Sequence, residues 1–295
     1  MKYLITGGTG LIGRNLSKSL LADGHEVHNV GRGLAKKKEK GFHHHQWDGR
    51  VVPDSVPKVD VVVNLAGANI GQRWTPEYKK LLISSRVNAT KACVDYINKV
   101  GGEGVSFLSA SGYNYYGDLL ETPVDETAVP ADPDSFMSKI CQQWEEAAKG
   151  TSARTVIMRI SVVLDPNDGP LAKMLTPYKF FVGGPTGTGK QGFPCIHIDD
   201  IVAAIRFLAE QSSTSGPVNM VAPESITQDE FSDALASQLR RPNFFRLPKG
   251  ILNLIFGEMS VVLWGGAFVI PKVLMEEGFE YKYPSIKSAL KHLLS

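Results

Sequence analysis

Lys2-Tyr3-Leu4-Ile5-Thr6-Gly7-Gly8-Thr9-Gly10-Leu11-Ile12-Gly13 stands at the start of the chain, and its reading decides the fold. Lys2 to Thr6 is a short apolar run of strand length. Leu11 to Leu21 follows with Ile12, Leu16 and Leu20 on one helical face, and Asp23-Gly24 closes that helix. Gly7, Gly10 and Gly13 occupy the turn between them. One glycine allows the tight turn, the next lets backbone approach a pyrophosphate, and the third lets helix pack on strand. The helix N-terminus adds free N–H groups and partial positive charge for phosphates.

Working outward, Glu26 to Val30, Val59 to Leu65, Val105 to Ser109 and Thr155 to Ile160 read as further strands, with a helix over Phe136 to Lys149. Strand–helix alternation predicts an α/β fold, an NAD(P)-binding doubly wound parallel sheet of the Rossmann kind with a ligand crevice at its carboxyl edge. Beyond Leu164 the texture changes. Gly183 to Gly189 is a loop, Asp199 to Gln211 a helix, and Thr227-Gln228-Asp229-Glu230 a capping box whose helix ends near Arg241-Pro242. Asn243 to Ser295 reads as alternating short strands and helices. Residues 1–165 are expected to form the dinucleotide domain, with 196–222 returning to it. Residues 166–195 and 223–295 would form a small C-terminal α+β substrate lobe.

The 295 residues include 32 basic and 30 acidic ones, a formal charge of +2 that gives no case for nucleic acid or a membrane surface. Apolar runs such as Ile251 to Phe256 are too short to span a bilayer. Cys93, Cys141 and Cys195 form no CxxC pair, so an intracellular, reducing setting is expected, cytoplasmic with the nucleus left open. With the first strand starting at Lys2, no room is expected for a signal or transit peptide. A monomer or homodimer acting on a small molecule fits this composition.

The end of the second strand reports the cofactor. Val30-Gly31-Arg32 carries no carboxylate for a ribose 2′-hydroxyl, and Arg32 suits a 2′-phosphate, which favours NADP (NADPH) over NAD. The lysines at 36–38 read as a solvated face.

Thr6 to Gly13, Asn64-Leu65-Ala66-Gly67 and Ser109-Ala110-Ser111 resemble the extended short-chain dehydrogenase/reductase superfamily. Arg73-Trp74-Thr75, Ser85-Arg86, Tyr115-Tyr116-Gly117, Trp144-Glu145 and Phe193 to Asp200 resemble its atypical epimerase-like branch, family 39U or cell-division-inhibitor-like. Phe244 to Leu294 is similar to that branch's terminal domain. The resemblance implies that Gly31 and Arg32 meet the adenosine phosphate and that Leu65 and Ala66 meet the ribose and pyrophosphate. It implies that Arg86 and Arg159 reach the dinucleotide or a substrate anion, and that Trp47-Asp48 lies near adenine. Ordinary core packing of Trp47 is the other reading.

Hydride-transferring members of that superfamily use a serine or threonine, a tyrosine and a lysine, with Tyr-x-x-x-Lys on one helical face. Ser111 and Lys139 match the serine and lysine, but Ser135 stands where the tyrosine would be. Arg86 takes the place of an asparagine that many active members carry. A serine hydroxyl is a far weaker acid than a phenol. Tyr113, Tyr115 and Tyr116 lie just past Ser111, either as substitutes, of which Tyr115 is the candidate, or as pocket walls. Cys195 and His197 suggest a nucleophile and base but lack a third orienting group. His43-His44-His45 read as loop residues at the surface without the fixed geometry of a metal site, and no metal is expected. Gly183 to Gly192 with Lys190 reads as a diphosphate site or a flexible connector. Three functions stay open: an NADP-dependent oxidoreductase or epimerase-like enzyme on a small carbonyl or hydroxyl compound, epimerisation of a nucleotide sugar, and a non-catalytic NADP(H)-binding sensor or interaction protein.

Overall fold

Tyr3, Leu4 and Ile5 are fully buried because their strand, β1 (Lys2–Thr6), lies inside a sheet covered on both faces. The structure, a computed structural model, describes residues 1–33, 39–117 and 122–295, so the lysines at 36–38 lie outside the described residues. A parallel sheet of seven strands is built from β1, β2 (Glu26–Gly31), β3 (Phe42–Gln46), β4 (Val61–Asn64), β5 (Ser106–Gly112), β6 (Arg154–Ile160) and β9 (Gly216–Met220). Their spatial order is β3-β2-β1-β4-β5-β6-β9. The order reverses between β1 and β4, which opens a crevice beyond their carboxyl ends.

Each face of the sheet has its own core. Helix α1 (Leu11–Ala22) buries Leu16 and Leu20 beside Ile201, Ile205 and Leu208 of α5 (Ile198–Glu210). On the other face α2 (Pro76–Val100) places Ala89, Cys93 and Ile97 against Leu4, Val62 and Phe107. Thr75 caps α2 by accepting from the Tyr78 N–H, and Pro76 sits in the first turn, where its missing N–H costs no helix bond. Helix α3 (Phe136–Ala147) follows β5 and packs against α2.

A second, two-stranded parallel sheet pairs β7 (Val162–Leu164) with β8 (Cys195–His197), and α4 (Gly169–Lys179) and α6 (Gln228–Leu239) share a core with it. The capping box at Thr227 and Glu230 forms as the sequence predicts. The stretch from Asn243 onward differs from expectation. Among the described residues it holds the helices α7 (Lys249–Phe256), α8 (Val261–Trp264), α9 (Lys272–Glu276) and α10 (Ile286–Leu293), with isolated bridges such as Val124–Val269 but no strand. Part of it turns back on the sheet domain. Asp200 accepts from the Lys282 and Tyr283 N–H groups, Tyr281 donates to the Val221 carbonyl, and Leu274 joins the α1/α5 core.

His43 to His45 also differ from expectation, since they form edge strand β3 rather than a loop. The run has no apolar alternation to announce a strand, and pairing to β2 supplies what side-chain pattern does not. The Gly183–Gly189 loop is packed. A Cβ on Gly187 would meet Trp264, and one on Gly189 would collide with Asp229, while the Gly187 N–H bonds the Leu247 carbonyl. Lys190 is exposed beside it.

Candidate functional site

Between the crevice and α3 lies a cavity of about 420 Å³ that runs from Gly7, Gly10 and Gly13 to Ser111. Its nucleotide end is shaped by main chain. Gly7 has φ +67°, which side chains rarely adopt, and a Cβ there would stand 2.7 Å from the Leu65 carbonyl oxygen. A Cβ on Gly13 would stand 2.5 Å from the Gly7 oxygen. Gly10 caps α1 with no side-chain acceptor, so the first N–H groups of the helix stay available to an anion. Leu11, Ile12 and Leu65 complete this wall, and Ala66 follows Leu65 with its N–H bonded to Thr6 Oγ1. These features fit the pyrophosphate of a dinucleotide.

Gly31 ends β2 and accepts from the Trp47 N–H, so the turn carrying Arg32 is anchored while Arg32 itself is exposed. His44 backs that turn from β3, bonding Asn29 and the Gly33 carbonyl. Trp47 is buried in the α2-side core, and its indole N–H has no partner among the described residues.

The reactive end is built from side chains. Ser111, at the carboxyl end of β5, is buried and donates to Glu145 Oε1 at 2.7 Å. Register places Arg159 of β6 beside Ser111. Its guanidinium forks onto the same carboxylate, Nε to Oε1 and Nη2 to Oε2, both at 3.0 Å. Burial works against the charge on Arg159, but the hydrogen bonds and charge of Glu145 outweigh it and raise its proton affinity. Arg159 Nη1 also donates to the Tyr116 hydroxyl, which donates to Asn219. Arg159 thus braces the floor beside Ser111, with its donors engaged by Glu145 and Tyr116. A forked carboxylate partner consumes the donors that an anion would need.

Lys139 lies away from Ser111. Its ammonium pairs with Asp134 at 2.9 Å on the solvent side of α3, with its side chain 49% exposed. The helix turns Met137, Ile140, Cys141 and Trp144 to the cavity, so the four-residue pair on this face is Met137 and Cys141. Ser135 caps α3 by accepting from the Ser138 N–H. Burial pushes the Cys141 thiol up to about 12, so it stays protonated. Tyr115 is half-buried with its ring 3.5 Å from the Arg159 guanidinium, and Tyr113 is the tyrosine of that turn that lines the cavity.

Arg86 lines the cavity too. It donates to the Leu82 and Ala68 carbonyls and lies 5.0 Å from the Trp144 ring. Burial lowers its proton affinity, and no carboxylate pairs with it among the described residues. The indole N–H of Trp144 is likewise without a partner among them. A half-buried cation and a buried donor at one wall suit an anionic or carbonyl oxygen. The sequence reading gave no role to Trp144, Glu145, Met137 or Cys141, although the spacing 137, 140, 141, 144 is a helical stripe. Val262 reaches the cavity from the C-terminal region.

Cys195 and His197 face neither this cavity nor each other's chemistry. Burial pushes the Cys195 thiol up to about 12. His197 caps α5 by accepting from the Asp199 N–H at Nδ1 and meets His292 at Nε2, 3.0 Å away.

The profile of the NAD dependent epimerase/dehydratase family matches residues 3–221, and that of a domain of unknown function, DUF1731, matches residues 247–293. The epimerase family protein YfhF of Bacillus subtilis is 34% identical across 100% of this chain and 98% of its own length. Epimerase family protein SDR39U1 of mouse is 34% identical with full coverage of both chains. The crystal structure of human epimerase family protein SDR39U1 (isoform 2) with NADPH superposes with a TM-score of 0.90, at 34% identity over 100% of this chain and 99% of that one. No helix among the described residues is long and apolar enough to cross a membrane.

Proposed function

The chain belongs to the NAD dependent epimerase/dehydratase family, and from that premise we propose that it is an NADP(H)-dependent oxidoreductase acting on a small carbonyl or hydroxyl compound that carries a negative charge. The observation that carries this reading is one continuous cleft with a glycine cradle at one end and a buried, carboxylate-linked hydroxyl at the other. The similar human protein was solved with NADPH, which supports the choice of dinucleotide. Gly7, Gly10 and Gly13 would hold the pyrophosphate, Gly31 and Arg32 the adenosine 2′-phosphate, and Leu65 and Ala66 the adjoining ribose. When bound, the dinucleotide supplies or accepts a hydride.

The chain's own residues handle the proton. Ser111 Oγ exchanges it with the substrate oxygen, and Glu145 Oε1, 2.7 Å behind, takes or returns it. Arg159 holds that carboxylate in place through its fork. Arg86 meets the substrate's anionic group, and Met137, Ile140 and Trp144 keep water from the reacting carbon. In this arrangement the serine and glutamate replace the tyrosine and lysine that α3 does not present.

The Met137–Cys141 pair favours one second reading, a protein that holds NADP(H) without turnover and signals its presence to a partner. A screen separates the two. NADPH consumption is followed with a panel of keto acids and phosphorylated carbonyl compounds, using wild type and Ser111→Ala. Consumption by wild type that falls at least about a hundredfold in the variant, with NADPH binding unchanged, supports the enzyme. Tight NADPH binding with no consumption across the panel supports the holder.

A further inference from the structure

Strand alternation gives the histidines of β3 two faces. His43 and His45 project to one side and His44 to the other. Parallel pairing sets His43 beside His28 of β2, and Glu26 lies two residues before His28 on the same face. Glu26 Oε1 is 3.0 Å from His28 Nε2 and 3.3 Å from His43 Nε2. The two imidazoles are stacked, centroids 4.7 Å apart and planes 14° from parallel. All three donor atoms lie within 4.8 Å of one another.

The geometry points to a binding site for a divalent transition metal of the zinc class at Glu26, His28 and His43. Two imidazole nitrogens and a carboxylate oxygen are a donor set that zinc takes with a fourth position left for water. Magnesium and calcium prefer oxygen shells and are disfavoured. Metal–ligand bonds of about 2.0–2.1 Å at tetrahedral angles hold donor atoms about 3.3 Å apart. The Glu26–His28 and Glu26–His43 separations already stand near that spacing. Lys2 approaches the other carboxylate oxygen, Oε2, at 3.6 Å and leaves Oε1 to the metal.

A supporting shell lies behind the donors. His28 Nδ1 is 3.1 Å from His45 Nε2, and His45 Nδ1 is 2.8 Å from Ser55 Oγ. With His28 Nδ1–H donating to His45 and His45 Nδ1–H donating to Ser55, the lone pair of His28 Nε2 is free for a metal. A metal here would clamp the edge strand to β2. The same strand carries His44 against the Gly31–Gly33 turn on its other face.

The alternative is a plain histidine–carboxylate hydrogen-bond cluster, and titration distinguishes them. Zinc chloride is titrated by calorimetry into untagged full-length protein stripped with chelator, with cobalt(II) absorption as a second readout. One equivalent is expected to bind, with intense visible bands of tetrahedral cobalt. His43→Ala and Glu26→Gln should each weaken binding by at least about a hundredfold, and His45→Ala by about tenfold. His43 is half exposed and Glu26→Gln is isosteric, so metal-free melting of both should match wild type. Absence of saturable binding by wild type, or equal affinity in wild type and both ligand variants, would overturn the site.

Discussion

At its nucleotide end the cleft is shaped by main chain, and at its reactive end by side chains. Gly7, Gly10 and Gly13 act by what they lack: a Cβ at Gly13 would meet the backbone of Gly7 and Gly8, which cannot move aside. Ser111, Glu145 and Arg159 act by reaching one another from β5, α3 and β6. A glycine cradle depends on local spacing, so twelve consecutive residues specify it. The reactive end depends on helix phase and strand register, which no single stretch contains.

The contrast is broken most severely at the cradle. Gly13→Val is expected to lose more than about 3 kcal/mol of NADPH binding, roughly a hundredfold or more, because backbone must be displaced. Calorimetric titration alongside a melting curve checks it, and near-normal affinity would mean that the cradle is not where the dinucleotide sits.

At the other end Arg159→Met should cost about 2–3 kcal/mol of stability by leaving the part-buried Glu145 without its partner. The double variant with Glu145→Leu should recover much of that loss in urea denaturation. If the single and double variants are equally unstable, the fork is not what holds the floor.

A pH titration sharpens the comparison at His197, the N-cap of α5. Burial, reinforced by His292 and Lys282 against the opposing Asp199, pushes His197 down to about 4. Unfolded, it titrates at about 6.5, so between these values the unfolded chain binds more protons. Its contribution is fully present above the unfolded value and is lost as pH falls toward about 4, by at most about 1.4 kcal/mol per pH unit. His197→Asn keeps a capping acceptor and should flatten that slope in denaturation curves taken across the window.

The smallest effect belongs to Lys139→Ala. The ammonium is on the solvent face of α3, so stability and NADPH affinity should change by no more than about 0.5 kcal/mol. A large loss of turnover in that variant would return Lys139 to the reactive end.

These contrasts follow how the molecule was legible in its sequence. The strand–cradle–helix unit, the capping box at Thr227 and the position of Ser111 at a strand end were all visible, because each rests on local pattern. The orientation of α3 was obscured by the Ser135–Lys139 spacing, which mimics a four-residue pair on a helix whose buried stripe is Met137, Ile140, Cys141 and Trp144. Arg159 joins Glu145 only once β6 is paired with β5 in register. Strand β3 carries polar histidines at a sheet edge, so hydrophobic alternation could not reveal it. The return of Tyr281 to Tyr283 onto Val221 and Asp200 makes contacts across 60 and 83 residues, beyond any periodicity argument.

The most direct test of the central claim is calorimetric titration of NADPH and NADH into wild type and Arg32→Asp in parallel. Tight NADPH binding, weaker NADH binding, and a selective loss of NADPH in the variant are predicted, since a carboxylate there repels a 2′-phosphate and suits a 2′-hydroxyl. Equal affinity for both dinucleotides in wild type, or an equal change for both in the variant, would contradict it.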